Sequence, residues 1–295
     1  MSRRTIAVVS LLFLTVSCGG VEEGGKAAER KEPASAGGMP KASAETRLLV
    51  LPFDRYVLSL KEHYTVSDAS DLLIEKCMRK KGYEWKSVER PPDAVDVKNR
   101  RRYGVVESAV AEKFGYHAPE ELMNPYEVKE REASREKELS PGAKTAALSG
   151  DGCAVKADER LSGGREPDYD KLSEIDARIF EKSQKVPEVE RAMEAWSACM
   201  REKGFDYDKP AEAVNDARWW SKGSSDESAA ASRRERATAS ADVRCKDRTG
   251  LVGLWFSAEK RLEREQVEKT PEFFRELASV KKENLRNARA VIGRG

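Results

Sequence analysis

His117 lies in the stretch GYHAPEEL, three residues before Glu120 and four before Glu121. An imidazole and carboxylates at that spacing are half of a metal site, or the base and acid of a hydrolase. The only other histidine is His63, so an envelope hydrolase or metal-dependent enzyme would be built around His117 and Glu120. The same residues also read as a helix start, with Glu120 and Glu121 placed after Pro119 against the positive end of the helix dipole. Two aspartate pairs, Asp168 with Asp170 in EPDYDK and Asp206 with Asp208 in FDYDK, offer oxygens two residues apart. Neither stretch supplies the remaining ligands of a calcium loop, so they read as turn and cap residues. No G-x-S-x-G, H-E-x-x-H, Walker or G-x-G-x-x-G motif occurs. The sequence thus points to no catalytic residue, cofactor or metal, and the enzyme question stays open, with a non-enzymatic role favoured.

The cysteines carry a clearer chemistry. Cys77, Cys153, Cys199 and Cys245 are an even set, and no two of them lie closer than 46 positions. Zinc sites draw on cysteines two to four residues apart, whereas widely spaced, even-numbered cysteines in an exported chain pair as disulfides. Which pairs form is suggested by a repeat. CMRKKGYEW starts at Cys77 and CMREKGFDY at Cys199, with five of nine positions identical. Each copy ends an amphipathic helix: Ala69, Leu73 and Cys77 share one face, as do Val189, Met193, Trp196 and Met200 in the second. Basic residues crowd each last turn, and Gly82 and Gly204 stand where a left-handed residue ends a helix. Ser67 and Pro187 are the expected starts. Each helix cysteine is followed by one in a predicted loop, Cys153 after SGDG and Cys245 after SADVR. Chain entropy favours Cys77–Cys153 with Cys199–Cys245 no more than Cys77–Cys199 with Cys153–Cys245, at about 4 to 4.5 kcal/mol per bond. The duplication selects the former.

The elements that must hold these residues are helical. PFDRYVLSL puts Phe53, Tyr56, Val57 and Leu60 on one stripe. VVESAVAEKFGYH places Val106, Ala109, Val110 and Phe114 together, and DKLSEIDARIFEKSQK does so for Leu172, Ile175, Ile179 and Phe180. Leu251, Leu254, Trp255, Ala258 and Leu262 form another. A last helix, from Thr270 to about Ile292, lacks a cysteine and has Glu283 at the matching place. Residues 126–144 and 221–240 are low in apolar residues and read as surface loop or frayed helix. The expected fold is mainly α, a disulfide-braced helical domain of two related modules, residues 48–165 and 166–295.

The N-terminus determines the expected location. Arg3 and Arg4 precede an apolar run of twelve residues, too short at about 1.5 Å each to span a 30 Å hydrocarbon core. Residues 1–17 therefore read as a signal peptide. LTVSC resembles the lipobox of bacterial lipoproteins, with Ser17 and Gly19 flanking Cys18 as that family has them and Thr15 where it prefers Leu. The resemblance implies that Cys18 becomes the first residue of the mature chain and carries lipid. Residues 18–47, rich in Gly, Ala, Ser, Pro and charges, read as a disordered tether. More broadly, the chain is similar to uncharacterised secreted and lipid-anchored proteins of actinobacteria with CM..KG(F/Y) helices, an RRYG…GYH stretch and a downstream cysteine. Here these are residues 77–83, 101–104 with 115–117, and Cys153, within residues 53–219. That resemblance implies an exported protein with paired cysteines and no particular activity.

Charge excludes one class of partner. With Arg3 and Arg4 removed, basic and acidic residues balance at 52 each, leaving no global field toward nucleic acid. The basic run KNRRRYG, residues 98–104, has no aromatic ladder beside it and reads as a solvated helix approach. The sequence thus describes a lipoprotein on the extracytoplasmic face of the cell membrane, attached through lipid on Cys18, presenting a binding or scaffold surface to an envelope protein partner.

Overall fold

Ser43 opens the first helix, α1 (Ala44–Arg47), by accepting the N–H of Thr46. The computed structural model to which it belongs describes residues 39–124, 127–220 and 231–293, and every element in them is helical. The signal segment and Cys18 lie outside the described residues. Residues 42–47, assigned by composition to the tether, are part of the folded body, because Ser43 N–H donates to Glu107 and the Pro40 carbonyl accepts from Arg100. Pro52 then sets a 3-10 turn, Pro52–Tyr56, after which Val57 is extended, so the single helix expected over PFDRYVLSL is broken.

Ser59 starts α2 (Leu60–Lys80) with a capping box, its hydroxyl accepting from Glu62 N–H while the Glu62 carboxylate accepts from Ser59 N–H. The start expected at Ser67 is not used, because the helix already begins at the Ser59 capping box and Ser67 lies inside it. Four short helices follow, α3 (Ser108–Phe114), α4 (Glu120–Met123), α5 (Val128–Glu138) and α6 (Pro141–Leu148). Then come α7 (Cys153–Ser162), α8 (Tyr169–Ser183), α9 (Pro187–Glu202) and α10 (Pro210–Val214). The chain closes with α11 (Arg233–Thr249), α12 (Leu251–Lys269) and α13 (Pro271–Ile292).

Both stretches read as surface loop or frayed helix contain regular helix where they are described, residues 221–230 lying outside the described residues. In residues 126–144, α5 buries only Val128 but is fixed by ion pairs, Arg135 to Asp71 and Glu132 to Arg90. In residues 221–240, the part from Arg233 onward belongs to α11, whose buried face combines small alanines with charged and polar groups instead of large aliphatics. Cys153 and Cys245 accordingly sit in helices, not loops.

Cys77 is bonded to Cys153, joining α2 to α7, and Cys199 to Cys245, joining α9 to α11, with Cα atoms 5.8 and 5.7 Å apart. The repeated nonamer is one helix ending built twice. Gly82 N–H donates to Arg79 and Tyr83 N–H to Met78; Gly204 N–H donates to Arg201 and Phe205 N–H to Met200. The glycines take φ of 78° and 83°, the left-handed conformation that such an ending requires.

The largest part of the core gathers Tyr116, Trp196, Met200, Val243, Leu251 and Trp255 from α9, α11, α12 and the segment after α3. A second cluster joins Phe53 and Tyr56 to Ile175, Ile179, Phe274 and Leu277. Long-range packing crosses residue 165 in both directions: α13 lies against α2 and α7, and α3 against α11. The described residues, from 39 to 293, belong to one compact unit, and the division at 165/166 falls inside it. In α13, Glu283 stands where the other two helices have cysteine and accepts an ion pair from Arg165.

Candidate functional site

The stretch RRRYG, expected to be solvated, turns inward. Arg100 is 3% exposed and donates to both Glu107 oxygens and to the carbonyls of Leu122 and Pro40. Arg101 donates to the Tyr116 carbonyl, and burial pulls its pKa below the usual arginine value. Arg102 forks onto Asp176 at 2.7 and 3.0 Å and also binds Glu259. The Tyr103 hydroxyl donates to the other Glu259 oxygen at 2.6 Å, and burial beside that carboxylate raises the phenol. Nearby Glu107 and distant Asp176 and Glu259 supply the carboxylates, so the basic run is buried with its charge compensated.

Asp176, Glu259 and Glu263 place one oxygen each within 4.8 Å of one another, the spacing of a cation site. Arg102 already occupies it: its guanidinium takes a bidentate grip on Asp176 and a second bond to Glu259, supplying the positive charge such a cluster needs. Glu263 accepts the N–H of Phe53 at 2.7 Å, while burial, with Glu259 and Asp176 beside it, pushes its pKa up to about 8. The triad is therefore an internal ion cluster with one protonated acid at neutral pH, and its residues do not fit a resident metal while Arg102 is in place.

A second buried centre lies on α11. Asp242 accepts from the Trp196 indole at 2.9 Å and from Lys246 at 3.0 Å, and Lys246 also donates to the Val105 carbonyl. Burial raises the acid and lowers the amine. Gly104 is held at φ 77° under the lysine, where an added Cβ would stand 3.0 Å from Nζ.

His117 and Glu120 do not assemble into a site. His117 is 3% exposed, donates through Nδ1 to Glu235 at 2.7 Å, and packs its ring against Trp220. Glu235 also accepts the N–H of Tyr116, and Gly115 makes room for it. Glu120 is exposed at the start of α4, where it pairs with Lys129 over a shallow hollow shared with Glu121 and Glu130. The helix start after Pro119 is thus present, while His117 belongs to the core. His63 lies exposed on α2. Asp168 is a cap, accepting from Lys171 N–H at the start of α8, and Asp208 meets Arg201 at the surface.

Sequence reading missed Asp71, Glu235, Asp242, Lys246, Glu259 and Glu263. A signal existed for two of them. Glu259 and Glu263 flank the stripe of Trp255, Ala258 and Leu262, so a charged residue stands twice on a face otherwise read as core. Comparison with known protein families, with curated proteins and with solved structures finds no match for this chain.

Proposed function

We propose that the protein is an extracytoplasmic lipoprotein, anchored by acyl chains on Cys18, whose disulfide-braced body acts as a non-enzymatic binding or scaffold surface at the cell envelope. The observation that carries the non-enzymatic part is that groups able to do acid–base chemistry face one another inside the core. His117 is spent on Glu235, Lys246 on Asp242, and Arg102 on Asp176 and Glu259. Two disulfides support an oxidising compartment, and the lipobox-like LTVSC supports the anchor. No helix among the described residues is long and apolar enough to cross a membrane. Two acyl chains, at about 0.8 kcal/mol per buried CH₂, would suffice for stable attachment.

The anchor is tested by replacing Cys18 with Ser and fractionating cells fed labelled palmitate. The native chain should be processed, labelled and recovered with detergent, and the variant should be unlabelled and released. A Cys18→Ser chain that is still processed and membrane-bound would show the lipoprotein reading to be wrong.

A further inference from the structure

On the surface, one groove gathers an excess of cations. The groove, of about 820 Å³, runs between the segment after α1, the 3-10 turn, the start of α2, the turn before RRRYG, and the α12 and α13 helices. Six cations line it (Arg47, Arg55, Lys98, Lys260, Arg264 and Lys281) against three acids, Asp54, Glu62 and Asp96. Each acid is already engaged. Glu62 pairs with Lys281 at 2.8 Å and Asp96 with Lys98 at 3.1 Å; Asp54 accepts from Leu51 N–H and from Asn99. Arg47 donates to the Ala42 carbonyl. Arg55, Lys260 and Arg264 have no carboxylate partner among the described residues, and Lys260 and Arg264 lie one helical turn apart on α12. In a chain whose mature charge balances overall, three cations in one concavity that pair with no carboxylate among the described residues form a local positive field.

The same groove has an apolar wall. Leu48 is 74% exposed and Val50 57% exposed, the two most exposed large apolar side chains among the described residues. Its volume is in the range of small-molecule sites, about 300–1,000 Å³. No aromatic ring lines it, so it lacks the stacking platform of a nucleic-acid groove. Two guanidiniums and an ammonium match a phosphate, whose several oxygens can each take a charge-assisted bond, better than they match a single carboxylate.

We propose that this groove binds a phosphate-bearing amphiphile, its phosphate held by Arg55, Lys260 and Arg264 and its apolar portion laid on Leu48 and Val50. The proposal names a ligand for the binding surface suggested above and rests on that reading of the body, but not on the anchor at Cys18.

The test uses the chain from residue 18 onward carrying Cys18→Ser, with both disulfides intact, so that no acyl group contributes. Dihexanoylphosphatidylglycerol below its micelle concentration, the zwitterionic dihexanoylphosphatidylcholine, and inorganic phosphate are titrated separately by calorimetry. Saturable binding of the phosphatidylglycerol is expected at one site, at least tenfold tighter than of the phosphatidylcholine and weakening with salt. Arg55→Glu with Arg264→Glu should weaken it at least tenfold with an unchanged melting temperature, since neither side chain holds a structural partner. Leu48→Ser should weaken the lipid and leave any phosphate binding as it was. Inorganic phosphate binding as tightly as the lipid, with Leu48→Ser without effect, would overturn the amphiphile in favour of a free phosphate. No binding by any of the three, or binding indifferent to charge reversal, would overturn the site. Fractionation of Cys18→Ser bears on the anchor alone, so either idea can fail without the other.

Discussion

At the end of α2, Gly82 turns the chain back onto Met78 and Cys77 reaches Cys153 from a half-buried position. At the end of α9, Gly204 turns it back onto Met200 in the same way, yet Cys199 and Cys245 are both buried, at 1% and 0% exposure. The first disulfide sits among Met78, Trp85 and the small residues of α6 and α7; the second belongs to the cluster of Trp196, Met200 and Trp255. Each region also has a tryptophan indole bonded to a buried aspartate. Asp71 accepts from Trp85, Arg90 and Arg135, with Arg135 stacked 4.0 Å over the Trp85 ring. Asp242 accepts from Trp196 and has one bonded cation, Lys246. The copies share a helix ending and diverge in how many partners guard each buried charge. Both aspartates are buried, but Asp71 has two bonded cations and Asp242 has one.

The largest effect should come from removing the single bonded cation. Lys246→Met leaves Asp242 buried with the Trp196 indole but no cation, a loss on the order of 3–5 kcal/mol. Arg135→Met leaves Asp71 with Arg90 and should lose about 1 kcal/mol. Urea unfolding of the two variants compares them directly, and equal losses would break the contrast.

Next come the disulfides. Chain entropy favours the first by only about 0.4 kcal/mol, from a separation of 76 against 46 residues. Burial works the other way. The Cys199→Ala/Cys245→Ala pair should therefore lose more stability than Cys77→Ala/Cys153→Ala, near the top of the usual range of about 2–5 kcal/mol. The reverse order in thermal melts would mean loop length governs and packing does not.

The helix α12, packed on α9, should also make the second region respond to pH. Glu263 binds its proton near pH 8 in the fold and near 4.3 in the unfolded chain, so between those values the folded state holds a proton the unfolded state has released. Stability then falls as pH rises from about 4.5 to about 8, by a few kcal/mol at about 1.4 kcal/mol per unit. Glu263→Gln should flatten that decline, measured by urea midpoints at pH 5 and pH 8.

The smallest effect sharpens the comparison from the other side. An added Cβ at Gly82 or Gly204 meets no atom within 4 Å, so valine there is opposed by backbone strain alone. Gly82→Val and Gly204→Val should each lose about 1 kcal/mol or more, and the two losses should match. Unequal losses would mean that the endings differ in more than their surroundings.

The helix endings were legible because they depend on a few neighbouring residues: basic last turn, glycine, aromatic. Cys77 with Cys153 and Cys199 with Cys245 were legible for the same reason, through the repeat. Periodicity failed at α11 because it treats charge as a mark of solvent, whereas Glu235, Asp242 and Lys246 are buried by pairing with residues more than forty positions away or across one turn. It failed at α5 because that helix is held by ions on Asp71 and Arg90 and not by an apolar face. His117 and Glu120 are neighbours in sequence, but the turn after α3 sends the histidine to Glu235 and leaves Glu120 at the surface.

By itself the sequence determined the helical class, the glycine-ended helices, the cysteine partners and, as expectation, an exported chain with lipid on Cys18. These follow from local chemistry, since a cap, an αL glycine and a leader segment are each read within a few residues. Tertiary structure alone decided which charges go inside, that α13 closes over α2 and α7, and that Arg55, Lys260 and Arg264 converge on one groove. The reason is physical: burying a charge depends on a partner arriving from a distant segment, and a concave surface exists only once separate helices have been packed together.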